Sequence, residues 1–199
     1  MKKIAILFMV LLLTGCTIVR IDTSSIDNIV DVVLSKENKI FNRVGKGYKY
    51  YIPRGVSYID TIELNDKLYS NGIYYYLYVD AVSYYYKTKT NYEENNKAYY
   101  SKKINGDKQG YLEIEKENDI YHVMFTYNYA KIEAKVSKEK LEEVVLNASY
   151  ILSTIKFNDN IIELMLDSDY FTNKEEQYDV FNKKNENNNF LVDVEYKEN

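Results

Sequence analysis

Ala130-Lys131-Ile132-Glu133-Ala134-Lys135-Val136 runs directly into Ser137 and a helical stripe of Leu141, Val144, Val145, Ala148, Leu152 and Ile155. In the first stretch apolar and charged residues alternate one by one. That period of two predicts an antiparallel strand with one face on a core and the other in water. In the second the apolar positions recur at three and four, the spacing of an amphipathic helix. Ser137 supplies an N-cap hydroxyl, and Glu139 a negative charge for the first turn. A strand with one apolar face followed by a helix with one apolar stripe buries both by stacking them. This stretch therefore predicts an α+β fold, an antiparallel meander sheet packed against an amphipathic helix.

Upstream, Ser25 caps Ile26, Ile29, Val30, Val33 and Leu34, again at helical spacing, so a short N-terminal helix of about ten residues is expected. Residues 48–52 read as a strand stopped by Pro53-Arg54-Gly55, and residues 58–64 as another. Ser70-Asn71-Gly72 marks a turn. Residues 73–86 form a long strand-like run. Ile73, Tyr75, Leu77, Val79 and Ala81 share one face, while Tyr74, Tyr76, Tyr78 and Asp80 share the other. The first face is assigned to the core, the second to a tyrosine ribbon. Residues 88–97 are a polar loop. Strands follow at 99–104, at 111–115 and at 120–127, the last apolar on both faces as an interior strand requires. Residues 161–166 fit strand or helix, 174–184 are mixed, 185–189 a polar loop and 190–196 a final alternating strand. The element order, with Tyr51-Ile52-Pro53-Arg54-Gly55-Val56, resembles the PsbP/Mog1-like α-β-α sandwich.

At the amino terminus Lys2 and Lys3 precede ten apolar residues, Ile4 to Leu13. Ten residues fall short of the roughly 20 that cross a bilayer, and they fit the apolar part of an export signal. Leu13-Thr14-Gly15-Cys16 follows. This segment resembles the lipobox of bacterial lipoprotein signal peptides. The resemblance implies removal of residues 1–15, a diacylglycerol thioether on Cys16 and an N-terminal fatty chain such as palmitate. Residues 16–24 would then be a tether and residues 25–199 a single α+β domain. The implied address is the outer face of the cell membrane, lipid-anchored. Cys16 is the only cysteine, so no intramolecular disulfide is available and the core alone holds the fold.

Composition narrows the function. Loss of Lys2 and Lys3 leaves 24 basic against 30 acidic residues, a net charge near −6. A nucleic-acid partner is not expected, because no basic stripe is visible. Tyrosine is used 23 times against seven phenylalanines and no tryptophan, a bias that AT-rich codons produce together with Lys, Asn and Ile. His122 is the only histidine and sits mid-strand, where packing explains it better than catalysis. No zinc ligand set, nucleophile motif, P-loop or dinucleotide fingerprint occurs. Asp159, Glu163, Asp167 and Asp169 form an acidic cluster without the glycine and distal glutamate of a calcium loop, and a solvated loop is expected there.

No catalytic residue, metal or cofactor is therefore assigned. The expected function is a non-enzymatic binding or assembly module, partnered by the membrane through Cys16 and by a cell-surface protein or glycan. Two alternatives stand beside it. One is a carbohydrate or cell-wall-binding module using Tyr74, Tyr76 and Tyr78, since aromatic faces with a hydroxyl handle suit sugar rings. The other is a surface hydrolase with paired carboxylates.

Overall fold

The computed structural model describes residue 23 and residues 25–167. Cys16, the tether and the elements expected beyond residue 167 lie outside the described residues.

The α+β expectation holds. Helix α1 (Ile26–Leu34) begins where Ser25 accepts a hydrogen bond from Asn28 N at 3.3 Å, and it buries Ile29, Val30 and Val33. Seven strands form one antiparallel sheet in the order β3-β4-β5-β9-β8-β7-β6. They are β3 (Ser57–Ile62), β4 (Asn65–Ser70), β5 (Ile73–Val79), β6 (Tyr100–Ile104), β7 (Gly110–Glu117), β8 (Ile120–Tyr127) and β9 (Ala130–Val136). Two meanders, β3–β5 and β6–β9, meet along β5 and β9. Tight turns set the registers. Asn71-Gly72 and Asn128-Tyr129 both place two successive residues at positive φ, as two-residue hairpins demand.

The long helix covers one face of this sheet. A 3₁₀ turn (Lys138–Lys140) leads into it, and α3 (Leu141–Thr154) buries Leu141, Val144, Val145, Ala148, Ile151 and Leu152. Each such aliphatic side chain contributes roughly 1.5–3 kcal/mol on burial, alanine less. Facing them are Leu77, Val123, Phe125 and Ile132, all fully buried. Helix α1 packs against α3. The α-helix starts at Leu141, four residues later than Ser137 suggested. The Ser137 carbonyl instead accepts from Lys140 N in the 3₁₀ turn, and its hydroxyl makes no cap bond.

Three other expectations need correction. Residues 48–50 do not belong to the large sheet. Strand β2 (Tyr48–Tyr50) lies between β1 (Arg43–Val44) and β10 (Lys156–Phe157) in a separate three-stranded sheet. The run from Ile73 does not stay extended to Tyr86. Asp80 accepts from Ser83 N at 2.8 Å and starts a short helix, α2 (Ala81–Tyr85). The segment from residue 159 is helix α4 (Asp159–Asp167), so Asp159, Glu163 and Asp167 lie on a helix rather than a loop, and Asp169 lies outside the described residues. Asn158 N donates to Gly47 O at 2.9 Å, and Ile162 and Met165 pack beside Gly47, which seats α4 against the small sheet.

Candidate functional site

The face of the large sheet turned away from α3 carries the predicted tyrosines, and strand register decides their neighbours. Tyr74, Tyr76 and Tyr78 on β5 oppose Tyr69, Lys67 and Asn65 on β4. On their other side Tyr76 opposes Glu133, and Tyr78 opposes Lys131, both on β9. Beyond them on β8, Met124 stands against Glu133 and Thr126 against Lys131. The structure thus brings the three rings together in one row, as the alternation required.

It does not leave them open. Tyr76 is 9% exposed and Tyr78 only 3%, while Tyr74 is half-buried. The row is therefore largely covered rather than an open ribbon. Charged neighbours and long side chains close over it. The Lys131 ammonium stands 4.9 Å from the Tyr78 ring centroid, and the Lys67 ammonium 4.0 Å from that of Tyr74. Such cation–π contacts hold an aromatic face against a cation rather than against an incoming ligand. Farther along the same face the loop before β6 folds down. Tyr92 stacks on Tyr111 with centroids 3.9 Å apart and donates its hydroxyl to Glu113. Burial and that carboxylate push the Tyr92 phenol up to about 12.

Two charged clusters underlie the row, and sequence reasoning found neither. In the first, Lys131 pairs with Glu133 two residues along the same strand, with the Lys131 side chain 4% exposed. His122 Nε2 lies 3.8 Å from the other Glu133 oxygen. Burial raises the Glu133 carboxyl, but His122 and Lys131 outweigh it and hold it below the usual carboxylate range. His122 is partly buried on its strand, as its sequence context suggested. In the second cluster Asp66 is buried on the α3-facing side of β4. It accepts from Tyr50 Oη at 2.5 Å and from the Thr61 hydroxyl. Arg43 Nε approaches the same carboxylate at 3.8 Å, while its guanidinium carbon sits 3.5 Å over the Tyr58 ring. Burial, then the Asp66 charge, drives the Tyr48 and Tyr50 phenols far above their ordinary range, so both remain donors.

Comparison with family models, curated proteins and solved structures finds no match to this chain. The site therefore rests on its own geometry. One cleft, of about 60 Å³, opens between Tyr74, Tyr76, His122, Glu133 and Lys135. Another, of about 140 Å³, lies between the exposed Ile59 and Ile62 of β3 and the rings of Tyr76 and Tyr78. Ordinary small-molecule pockets hold roughly 300–1,000 Å³. Both clefts suit the edge of a partner better than an enclosed ligand. Among the described residues, no group of three or more His, Cys, Asp or Glu side chains is placed to hold a metal.

The Asp66 cluster offers a direct check. Tyr50→Phe removes the donor at 2.5 Å and leaves a buried carboxylate one hydrogen bond short. A loss of about 1–3 kcal/mol in urea unfolding is expected. Unchanged stability would show that this hydroxyl does not hold Asp66 in place.

Proposed function

We propose that this chain is a lipid-anchored extracytoplasmic protein whose folded body serves as a non-enzymatic binding or assembly module at the outer face of the cell membrane. Leu13-Thr14-Gly15-Cys16, placed directly after a basic and apolar leader, carries this reading. Two acyl chains, at about 0.8 kcal/mol per buried CH₂, give stable anchoring where one chain is marginal. Among the described residues no helix is long and apolar enough to cross a membrane.

Surface character supports the binding role. Ile40, Phe41, Val44, Ile59, Ile62 and Leu164 are large apolar side chains left substantially exposed. The glycan reading loses its main support, because sugar stacking needs open ring faces and Tyr76 and Tyr78 do not present them.

Cys16→Ser tests the anchor. In the native host the unaltered chain is expected to incorporate labelled palmitate, to begin at Cys16 and to resist extraction from membranes by alkaline carbonate. The variant is expected to lose the label and either to remain uncleaved or to leave the membrane fraction. An unlabelled protein that retains Met1 would refute the anchor.

A further inference from the structure

We infer that the outer face of the three-stranded sheet, together with the segment that leads into it, is a docking surface for anionic lipid headgroups. The inference takes its orientation from the lipid-anchor reading and adds a second contact with the bilayer.

The argument starts from charge. The chain is acidic, with 30 Asp and Glu against 26 Lys and Arg. Residues 36–49 reverse that balance, with Lys36, Lys39, Lys46 and Lys49 against the single acid Glu37, Arg43 being turned inward onto Asp66. Glu37 is itself paired with Lys39 at 3.8 Å. Within the same segment Ile40, Phe41 and Val44 are 50%, 48% and 65% exposed. Exposed apolar groups interleaved with lysines are the composition of an interfacial membrane contact. The apolar tips enter the headgroup–acyl boundary while the ammonium groups meet the lipid phosphates.

Sheet geometry turns this composition into one surface. Val44 on β1, Lys49 on β2 and Lys156 on β10 are directly opposite one another across the three strands. Tyr48 and Tyr50, flanking Lys49, are buried, so Lys49 points to the opposite, outer side. The Lys49 ammonium sits 4.2 Å over the Phe41 ring, which joins the loop to the row. Val44, Lys49, Lys156 and Ile161 of α4 line a single open groove of about 410 Å³. Asp159, the carboxylate in that groove, accepts from Tyr84 Oη at 2.7 Å.

Position fits as well. Eight residues lie between Cys16 and Ser25, a length that reaches at most about 30 Å. The basic segment begins at the far end of α1, about 14 Å on for a nine-residue helix. A body tethered that closely can lay this face on the membrane without straining its leash.

The test uses the absence of tryptophan. Phe41→Trp introduces a single indole and keeps an aromatic ring under Lys49. Ile120→Trp is the control, at the end of β8 away from Asn128, whose side chain bonds Ile155 O beside β10. Eight strand residues place the two ends of β8 about 25 Å apart. Each acylated full chain is reconstituted into vesicles with brominated acyl chains, made either of phosphatidylcholine alone or of phosphatidylcholine with about one third phosphatidylglycerol.

In anionic vesicles the indole at position 41 is expected to shift to shorter wavelength and to lose about half its emission to bromine, as burial at the acyl boundary implies. The indole at position 120 should do neither. Adding Lys46→Glu and Lys156→Glu to Phe41→Trp should restore the emission, as should high salt. Emission at position 41 matching that at position 120 in anionic vesicles would overturn the inference, and so would equal quenching in neutral vesicles. A face built for a protein partner gives the first of these results, because bare lipid leaves it wet. Mass spectrometry of the same preparation keeps the two readings apart. An unmodified Cys16 thiol counts against the anchor, whereas an unquenched indole on an acylated chain counts against the face.

Discussion

Glu133→Leu is expected to lower unfolding free energy by about 3–5 kcal/mol, the usual cost of stripping a buried charge of its partner. The substitution leaves the Lys131 ammonium, 4% exposed in its side chain, without the carboxylate it pairs with. The companion variant separates a broken pair from a merely altered core. Glu133→Leu with Lys131→Met removes both charges and fills the space with apolar groups of similar length, and it should recover most of the loss. Urea unfolding followed by circular dichroism measures both. Equal destabilisation of the single and double variants would show that the pair itself is not what the fold depends on.

The same pair sets an acid dependence. In the folded chain the Glu133 carboxyl titrates below its ordinary value of 4.5. A group depressed in the folded state adds stability above its unfolded pKa and loses it as pH falls through the folded one. The urea midpoint of the unaltered chain should therefore drop between pH 5 and the acid end of the titration, more steeply than that of the double variant, in line with about one carboxylate fewer titrating. The variant should keep part of the slope, since Lys102 and Tyr100 also hold Asp27 below the usual range.

Gly110→Ala is expected to be as damaging through sterics alone. A Cβ on Gly110 would lie 2.0 Å from the Thr126 carbonyl oxygen and 2.8 Å from Tyr127 Cα. Both are backbone atoms of the neighbouring strand, so no side chain can step aside. Strands β7 and β8 must separate locally, and a loss of about 3 kcal/mol or more is expected. For a chain of this size that lowers Tm by about 10 °C. Gly72→Ala is the contrast. Its φ of +84° disfavours a side chain, but nothing lies within 4 Å of the added carbon. Strain without a clash should cost only about 1 kcal/mol. If both alanines cost the same, close approach of the strands is not what position 110 requires.

Much of this architecture was legible because it is written in periodicity. The stripe from Leu141 to Ile155, the period of two in β5 and β9 and the two-sided apolar run of β8 put the right residues against one another. Strand β4 was invisible for a physical reason. Its inward positions are Asp66, Leu68 and Ser70, so an apolar period of two never develops, and Asp66 belongs there only because Tyr50, Thr61 and Arg43 surround it. The helix at Ala81 was hidden by a run of aromatic and β-branched residues, and a single capping carboxylate, Asp80, overrides their preference for extended chain. The tyrosines were placed on the correct face, but their exposure was not legible. Alternation tells which side a residue takes, whereas its wetness depends on Lys131 and Glu133, more than fifty positions later. Those two looked like the solvent side of a clean amphipathic strand, and they are covered because the sheet's second face is itself furnished with rings and long side chains.

The junction of β5 with β9 carries a kinetic consequence. Elsewhere in the large sheet neighbouring strands follow one another along the chain, and several close through two-residue turns. Val79, by contrast, meets Ala130 across about fifty intervening residues. Closing so wide a span costs chain entropy before any pairing rewards it. Each half can zip locally, but the halves must find one another by diffusion, which makes this seam the natural bottleneck on the way to the native state and the line along which a newly made polypeptide is most exposed to trespassing strands.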